Sequence, residues 1–263
     1  MERRVTRESD SGRPPMVSAL TGRKVFPAGW PLRRFTPDEL ASLLQLCGPR
    51  VIEISKDCLR ERSSLKDLAR SLSRVRNSAP GDLVFAGTTD LVACSGLSWE
   101  SYRRYLAVQV AQARFLECTL FRFLMGKAVA SVPRGEVIRR VLDFCGDLAP
   151  VQPCVEIHAT LESEPDMLAE LLRVTNVQIV VDLENMLRAG FTVDELLRVV
   201  PRERVAYFHH RNLEPTWMEH PLSLVEEQRS RELFPEGIFL WEPKTVEEPE
   251  RIRELCLEHL SLD

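Results

Sequence analysis

The sequence predicts an α/β fold in which parallel strands form a single (β/α)8 barrel, the TIM barrel. The chain has 263 residues, and such a barrel needs about 250. Short apolar segments rich in β-branched and aromatic residues alternate with segments of helical periodicity, a pattern typical of parallel strands joined by helices. No GxGxxG motif follows an early strand, so an open dinucleotide-binding sheet is the less favoured alternative.

The strands and helices can be assigned from local signals. Polar caps followed by acidic residues predict helix starts at Thr36–Glu39, Ser64–Asp67, Thr192–Glu195 and Thr245–Glu248, and the first of these is a capping box with proline at the first helical position. A less distinct first strand is expected near VSAL or KVF. The clearer predicted strands are VIEIS, DLVFAG, TLFRFLMG, PCVEIHA, VQIVVDL, RVAYFHH and GIFLWEP.

The domain organisation predicted from the sequence is simple. Residues 1–16 are charged and polar without an apolar signal-peptide core, so we expect a flexible, disordered N-terminal lead-in. Residues 17–263 are expected to form one barrel, because no linker or low-complexity tract interrupts them. No apolar run approaches the roughly 18 residues of a membrane span, which predicts no membrane partner.

Charge and cysteine usage narrow the class of protein. The formal net charge is −4, from 35 basic and 39 acidic residues that are interspersed along the chain. A nucleic-acid-binding protein usually carries a basic face, so we expect no nucleic-acid partner. The chain has seven cysteines without a CxxC motif, a pattern that fits reduced thiols in a cytoplasmic protein.

The last four predicted strands each end in a charged or metal-binding side chain: Glu156, Asp182, His209 and Glu242. The spacings of 26, 27 and 33 residues (182 − 156, 209 − 182 and 242 − 209) correspond to one strand–helix unit each. Consecutive strands of a barrel are neighbours, and functional groups gather at their carboxyl ends. Three carboxylates and one imidazole should therefore converge. The alternative is that these groups are solvated or cap the following helices.

Such a cluster predicts a divalent metal ion. Three like charges in a small pocket need a counter-charge, which a divalent cation supplies. An oxygen-rich set with one imidazole suits Mn²⁺, Mg²⁺ or Co²⁺, with Zn²⁺ and Fe²⁺ as alternatives. Strand alternation predicts that His209 points into the barrel with Arg211, and that His210 points toward the helices.

From about residue 20 onward the chain resembles the xylose isomerase-like barrels, the family of sugar-phosphate isomerases and epimerases. The resemblance depends on the order and spacing of ARFLECTLFRFLMG, VEIH, VVDLEN, FHHRN and LWEPK. It implies one divalent metal held by Glu156, Asp182, His209 and Glu242. It also implies that the catalytic residues Glu156 and Glu242 move protons in an isomerase or epimerase that forms an enediolate from a small polyol, hydroxy-ketone or sugar-like substrate.

Departures from the family pattern concern the substrate. Asn185 stands where many relatives have a histidine, and Asn212 replaces the last residue of a His-x-Lys-Asp motif. His158 shares the strand face of Glu156, and Lys244 shares that of Glu242. We therefore expect the substrate-binding residues to be His158, Asn185, Arg211 and Lys244, although packing or a salt bridge would also account for them.

Other functions stay open at this point. A dehydratase or lyase could use the same proton abstraction, and a catalytically silent metal-binding barrel could serve a biosynthetic or regulatory complex. Repair endonucleases of the same superfamily hold three metals with more histidines than this chain offers at its strand ends. Glu53 and Arg122 are interpreted as structural rather than catalytic. The expected partners are a small polyol or keto substrate and a second copy of the chain in a homo-oligomer.

Overall fold

The computed structural model describes residues 35–47, 51–55, 65–76, 82–87, 89–128, 131–158, 160–210, 222–242 and 249–260. The predicted lead-in at residues 1–16 and the predicted strand near VSAL or KVF lie outside these residues, as do the helix-start residues Ser64 and Thr245.

Seven parallel strands form one sheet in the described part of the chain, and each strand pairs with the next one in sequence. They correspond to the seven clearly predicted segments. The strands are β1 Val51–Ser55, β2 Asp82–Ala86, β3 Leu120–Phe123, β4 Gln152–Glu156, β5 Gln178–Asp182, β6 Val205–His210 and β7 Phe239–Trp241.

Helices connect the strands, as the alternating pattern predicts. Thr36 and Glu39 form the predicted capping box, with the Thr36 backbone N–H 2.8 Å from the Glu39 carboxylate, and Thr192 and Glu195 form another. The helices are α1 Pro37–Cys47, α2 Leu65–Arg76, α3 Trp99–Phe115, α4 Arg134–Leu148, α5 Pro165–Val174, α6 Leu183–Arg188, α7 Val193–Leu196, α8 Ser223–Leu233 and α9 Pro249–Leu260. No helix in the described ranges is long and apolar enough to cross a membrane.

The sheet rolls into a nearly closed barrel. Side chains of β1 and β6 meet inside it, although β2 to β5 lie between them in the sheet. The Tyr207 hydroxyl donates to a Glu53 carboxylate oxygen at 2.5 Å, and His209 Nε2 lies 3.0 Å from the same oxygen. A flat sheet could not bring these strands together, so the predicted parallel barrel is confirmed.

Packing between the strands and the helices determines which residues face inward. Phe121 and Phe123 of β3 pack edge-on against Phe144 of α4, with ring centroids 5.6 and 5.3 Å apart. Because successive strand residues point to opposite faces, Arg122, which lies between the two phenylalanines, faces the barrel interior. The apolar layer outside the strands thus directs this arginine toward the carboxyl ends of the neighbouring strands.

Candidate metal centre

The four predicted metal ligands lie together at the carboxyl ends of β4 to β7. Glu156 and Asp182 end their strands, His209 is paired with Asp182 in the β5–β6 register, and Glu242 directly follows β7. Each residue offers one ligand atom, and these atoms all lie within 4.8 Å of one another. Glu156, Asp182 and His209 are buried, whereas Glu242 is half-buried.

The donor set fits a divalent cation. Two oxygens on opposite sides of an ion the size of Mg²⁺ are about 4.2 Å apart, so a spread of up to 4.8 Å requires only small side-chain rotations to close around the ion. Three carboxylates close together favour a cation as their counter-charge. Carboxylate oxygens with one imidazole suit Mg²⁺, Mn²⁺ and several other divalent ions, so the donor set does not select one metal.

Arg122 is a charged member of the site that the sequence interpretation placed among structural residues. Its guanidinium forms ion pairs with Glu156 and, at 3.2 Å, with Glu53. Burial acts against its charge, but Glu156 and then Glu53 raise the pKa of Arg122 above its ordinary value. The sequence signal that could have indicated it is an arginine in the mostly apolar segment TLFRFLMG.

His209 is held at both ring nitrogens by carboxylates. Nδ1 lies 3.2 Å from Glu156 Oε1, and Nε2 lies 3.0 Å from Glu53 Oε2. Burial opposes the charged ring, but Glu53 and Glu156 together raise the pKa of His209 from 6.5 to about 10. Without a metal ion, His209 and Arg122 are thus cations that face these carboxylates at neutral pH, and His209 would have to release a proton to bind a metal.

The two buried glutamates are kept ionised by the same contacts. Burial alone would raise the pKa of Glu53, but Arg122 and His209 lower it to about 2. Burial likewise opposes ionisation of Glu156, and Arg122 and His209 hold its pKa below the ordinary value. Both carboxylates are therefore charged over the whole neutral range.

Asp182 has two roles in the geometry. It precedes α6, and its Oδ1 accepts a hydrogen bond of 2.9 Å from the backbone N–H of Asn185. A carboxylate has two oxygens, so capping a helix leaves the other oxygen able to take part in the cluster. Helix capping, which stood as an alternative to metal binding in the sequence interpretation, is compatible with it.

The predicted substrate-binding residues are only partly described. Asn185 is buried in α6, and His158 lies two residues beyond Glu156 with its side chain half-buried. Arg211, Asn212 and Lys244 lie outside the described residues. The substrate-binding role of His158, Asn185, Arg211 and Lys244 stays a prediction.

His210 faces away from the cluster, as strand alternation predicts. Its side chain is buried, and Nδ1 lies 3.7 Å from a carboxylate oxygen of Glu227 in α8. Arg231, one turn further along α8, forms an ion pair of 2.6 Å with Glu227. The two adjacent histidines thus belong to different layers of the barrel.

This chain has the fold of the xylose isomerase-like TIM barrels. It is similar to the probable 3-DHS dehydratase AsbF from Bacillus anthracis, with 15% identity over 90% of this chain and 98% of that one, at a TM-score of 0.68. Endonuclease IV from Thermus thermophilus matches at 17% identity, 92% and 100% coverage and a TM-score of 0.65.

D-Psicose 3-epimerase from Clostridium cellulolyticum, solved with D-tagatose, matches at 11% identity, 90% and 94% coverage and a TM-score of 0.63. No protein-family model matches the sequence, and no curated protein sequence does so. These similarities concern the fold. Because an epimerase, a dehydratase and an endonuclease share it, the fold itself does not decide the reaction, nor whether the partner is a small molecule or a nucleic acid.

Proposed function

We propose that this protein is a divalent-metal-dependent isomerase or epimerase of a small sugar-like or hydroxy-ketone substrate. The observation that carries the proposal is the convergence of Glu156, Asp182, His209 and Glu242, whose ligand atoms lie within 4.8 Å of one another at the mouth of the barrel. The structural similarity to a D-psicose 3-epimerase agrees with this reaction class.

The four residues would hold one ion, with Mn²⁺, Mg²⁺ or Co²⁺ favoured over Zn²⁺ or Fe²⁺ by the oxygen-rich donor set. When bound, a divalent cation polarises adjacent hydroxyl and carbonyl oxygens as a Lewis acid and so acidifies the C–H between them. Asp182 and His209 have the role of holding the ion. Glu156 and Glu242 have a second role, because each offers a carboxylate oxygen that can accept a proton.

Proton transfer is assigned to the two glutamates. One carboxylate takes the proton from the carbon beside the carbonyl, which forms an enediolate, and the other carboxylate, or the same one, returns it. Glu156 ends β4 and Glu242 follows β7, with β5 and β6 between them in the sheet. The two carboxylates thus come from strands that are not neighbours, and we propose that one acts on each face of the substrate.

Arg122 would support this chemistry through its ion pair with Glu156. The ion pair with Arg122 keeps the pKa of Glu156 below its ordinary value, against the effect of burial. Glu156 is therefore ionised before the reaction, as a proton acceptor must be. The ion pair with Arg122 uses Oε2 of Glu156, and Oε1 lies 3.2 Å from Nδ1 of His209.

The partner in this proposal is a small polyol or keto compound in carbohydrate metabolism and not a nucleic acid, because charges of both signs are interspersed along the chain. The proposal includes one barrel domain over residues 17–263, a cytoplasmic setting and a homo-oligomeric state. The seven cysteines without a CxxC motif agree with a reducing compartment.

The test is solvent deuterium uptake. Protein loaded with Mn²⁺ or Co²⁺ is incubated in D₂O with a panel of free ketoses, aldoses and hydroxy-ketones, and the products are examined by proton NMR and mass spectrometry. We expect deuterium at the carbon next to the carbonyl in at least one compound, together with its epimer or isomer. Protein that binds metal but exchanges no member of the panel would contradict the proposed reaction.

A dehydratase is the second candidate, and the similarity to the probable 3-DHS dehydratase AsbF is the observation that favours it. The same carboxylates would remove the proton, but a hydroxyl would then leave from the neighbouring carbon. The same assay separates the two reactions, because a dehydratase yields a product lighter by one water, whereas an epimerase or isomerase conserves mass apart from the isotope.

A further inference from the structure

Glu53 lies inside the barrel beside the proposed metal ligands, although it is not one of the four clustered residues. It belongs to β1, is 1% exposed, and contacts β6 across the barrel. Three groups approach its Oε2: the Tyr207 hydroxyl donates to it at 2.5 Å, His209 Nε2 lies 3.0 Å away, and Arg122 Nε lies 3.2 Å away in an ion pair. These contacts hold the Glu53 carboxylate in one position.

The two nitrogens of His209 face different groups. Nδ1 lies 3.2 Å from Oε1 of Glu156, a member of the proposed metal set, whereas Nε2 lies 3.0 Å from Glu53. A neutral imidazole that binds a metal through one nitrogen carries its proton on the other. An ionised carboxylate can only accept a hydrogen bond, so it stabilises whichever ring form places the proton next to it.

We infer that Glu53 is a positioning residue that keeps the proton of His209 on Nε2 and thereby presents Nδ1 to the metal. The inference rests on the proposed function, because it assigns a role toward the same ion. Outer carboxylates of this kind orient the ring and raise its basicity as a ligand. Here the ring is held from two sides, by β1 through Glu53 and by β4 through Glu156.

Two variants separate this role from a purely structural one. Glu53→Gln replaces an obligate acceptor by an amide whose NH₂ can turn toward Nε2 and so favour the opposite ring form. Tyr207→Phe removes a different hydrogen bond to the same carboxylate oxygen and leaves the contact with His209 in place. In titration calorimetry with Co²⁺, we expect Glu53→Gln to weaken binding roughly 10–100-fold, and Tyr207→Phe to weaken it much less.

The wild-type protein provides a second readout that does not depend on any variant. After loading with Zn²⁺, as a diamagnetic probe, protein with ¹⁵N-labelled histidine should show His209 with its proton on Nε2 and zinc on Nδ1. Zinc on Nε2, or equal losses of Co²⁺ affinity in the two variants, would overturn the role of Glu53 while leaving the metal site itself intact. A wild-type protein that binds neither Co²⁺ nor Zn²⁺ would instead remove the proposed function, and this inference with it.

Discussion

Replacing Arg122 by methionine removes one of the two cations that the buried carboxylates of Glu53 and Glu156 share, and leaves His209 as the other. Glu53 and Glu156 have side chains only 1% and 4% exposed, and Arg122 pairs with both. Breaking a buried ion pair by removing one partner costs about 3–5 kcal/mol, because the other partner stays buried and uncompensated. Methionine keeps much of the apolar stem, so the loss of packing is a smaller contribution.

The magnitude can be measured by thermal unfolding. For a domain of this size, 1 kcal/mol shifts the midpoint by about 2–4 °C, so we expect Arg122→Met to lower Tm by about 6–20 °C in protein treated with a chelator. The matched control is Arg229→Met, because Arg229 also pairs with two carboxylates, Asp194 and Glu232, but is 42% exposed. Exposed pairs contribute about 0–1 kcal/mol, so this control should stay within a few degrees of wild type.

Adding metal should then distinguish charge from packing. The guanidinium and a metal ion are like charges near the same carboxylate, so removing Arg122 should strengthen metal binding and increase the rise in Tm that Mn²⁺ or Co²⁺ produces. The rise should be larger in Arg122→Met than in wild type and unchanged in Arg229→Met. The reasoning fails if the two arginine variants are equally stable without metal, or if metal stabilises Arg122→Met less than wild type.

Further predictions concern the ligands, the proton carriers and pH. His209→Ala should weaken Co²⁺ binding in calorimetry far more than His210→Ala does. The reverse order would show that His210, and not His209, binds the metal. At saturating metal, Glu156→Gln and Glu242→Gln should each slow deuterium exchange by roughly 10²–10⁴-fold. In Asp182→Asn, by contrast, excess metal should partly restore the exchange rate. Exchange at the wild-type rate in both glutamine variants would refute the proton relay. Because the pKa of His209 is raised from 6.5 to about 10, its contribution to stability is fully present below pH 6.5 and is lost as the pH rises toward 10. Chelator-treated wild type should therefore lose more Tm than His209→Gln between pH 6 and 10, and parallel curves would contradict the assigned pKa.

The sequence was sufficient to predict the four clustered residues because each is a local feature. Glu156, Asp182, His209 and Glu242 follow apolar strand segments, and in a parallel barrel the ends of consecutive strands are neighbours whatever the details of packing. Strand alternation then selects His209 over His210 as the inward residue. The seven described strands match predicted segments, since parallel buried strands have a strong apolar signal.

Glu53 and Arg122 could not be assigned in the same way. Alternation indicates that both face inward, but not which groups they reach across the barrel. Glu53 meets His209 at a separation of 156 residues, and that contact depends on how far the sheet curls and how β1 is placed relative to β6. Strand tilt and register determine these distances, and neither can be obtained from the periodicity of one segment.

Asp182 shows why two interpretations of one residue need not compete. The sequence allowed either a helix cap or a metal ligand, and the structure shows Asp182 in both positions: Oδ1 accepts the capping hydrogen bond, and the residue is one of the four clustered potential ligands. The helix that follows a barrel strand begins at the mouth, where its first N–H groups and positive dipole end favour a carboxylate. A strand-end aspartate is therefore held in place by the helix it caps, which reduces the conformational freedom it would lose on binding an ion. Capping at this position thus favours metal binding and agrees with the proposed division of roles, in which Asp182 holds the ion and the glutamates move protons.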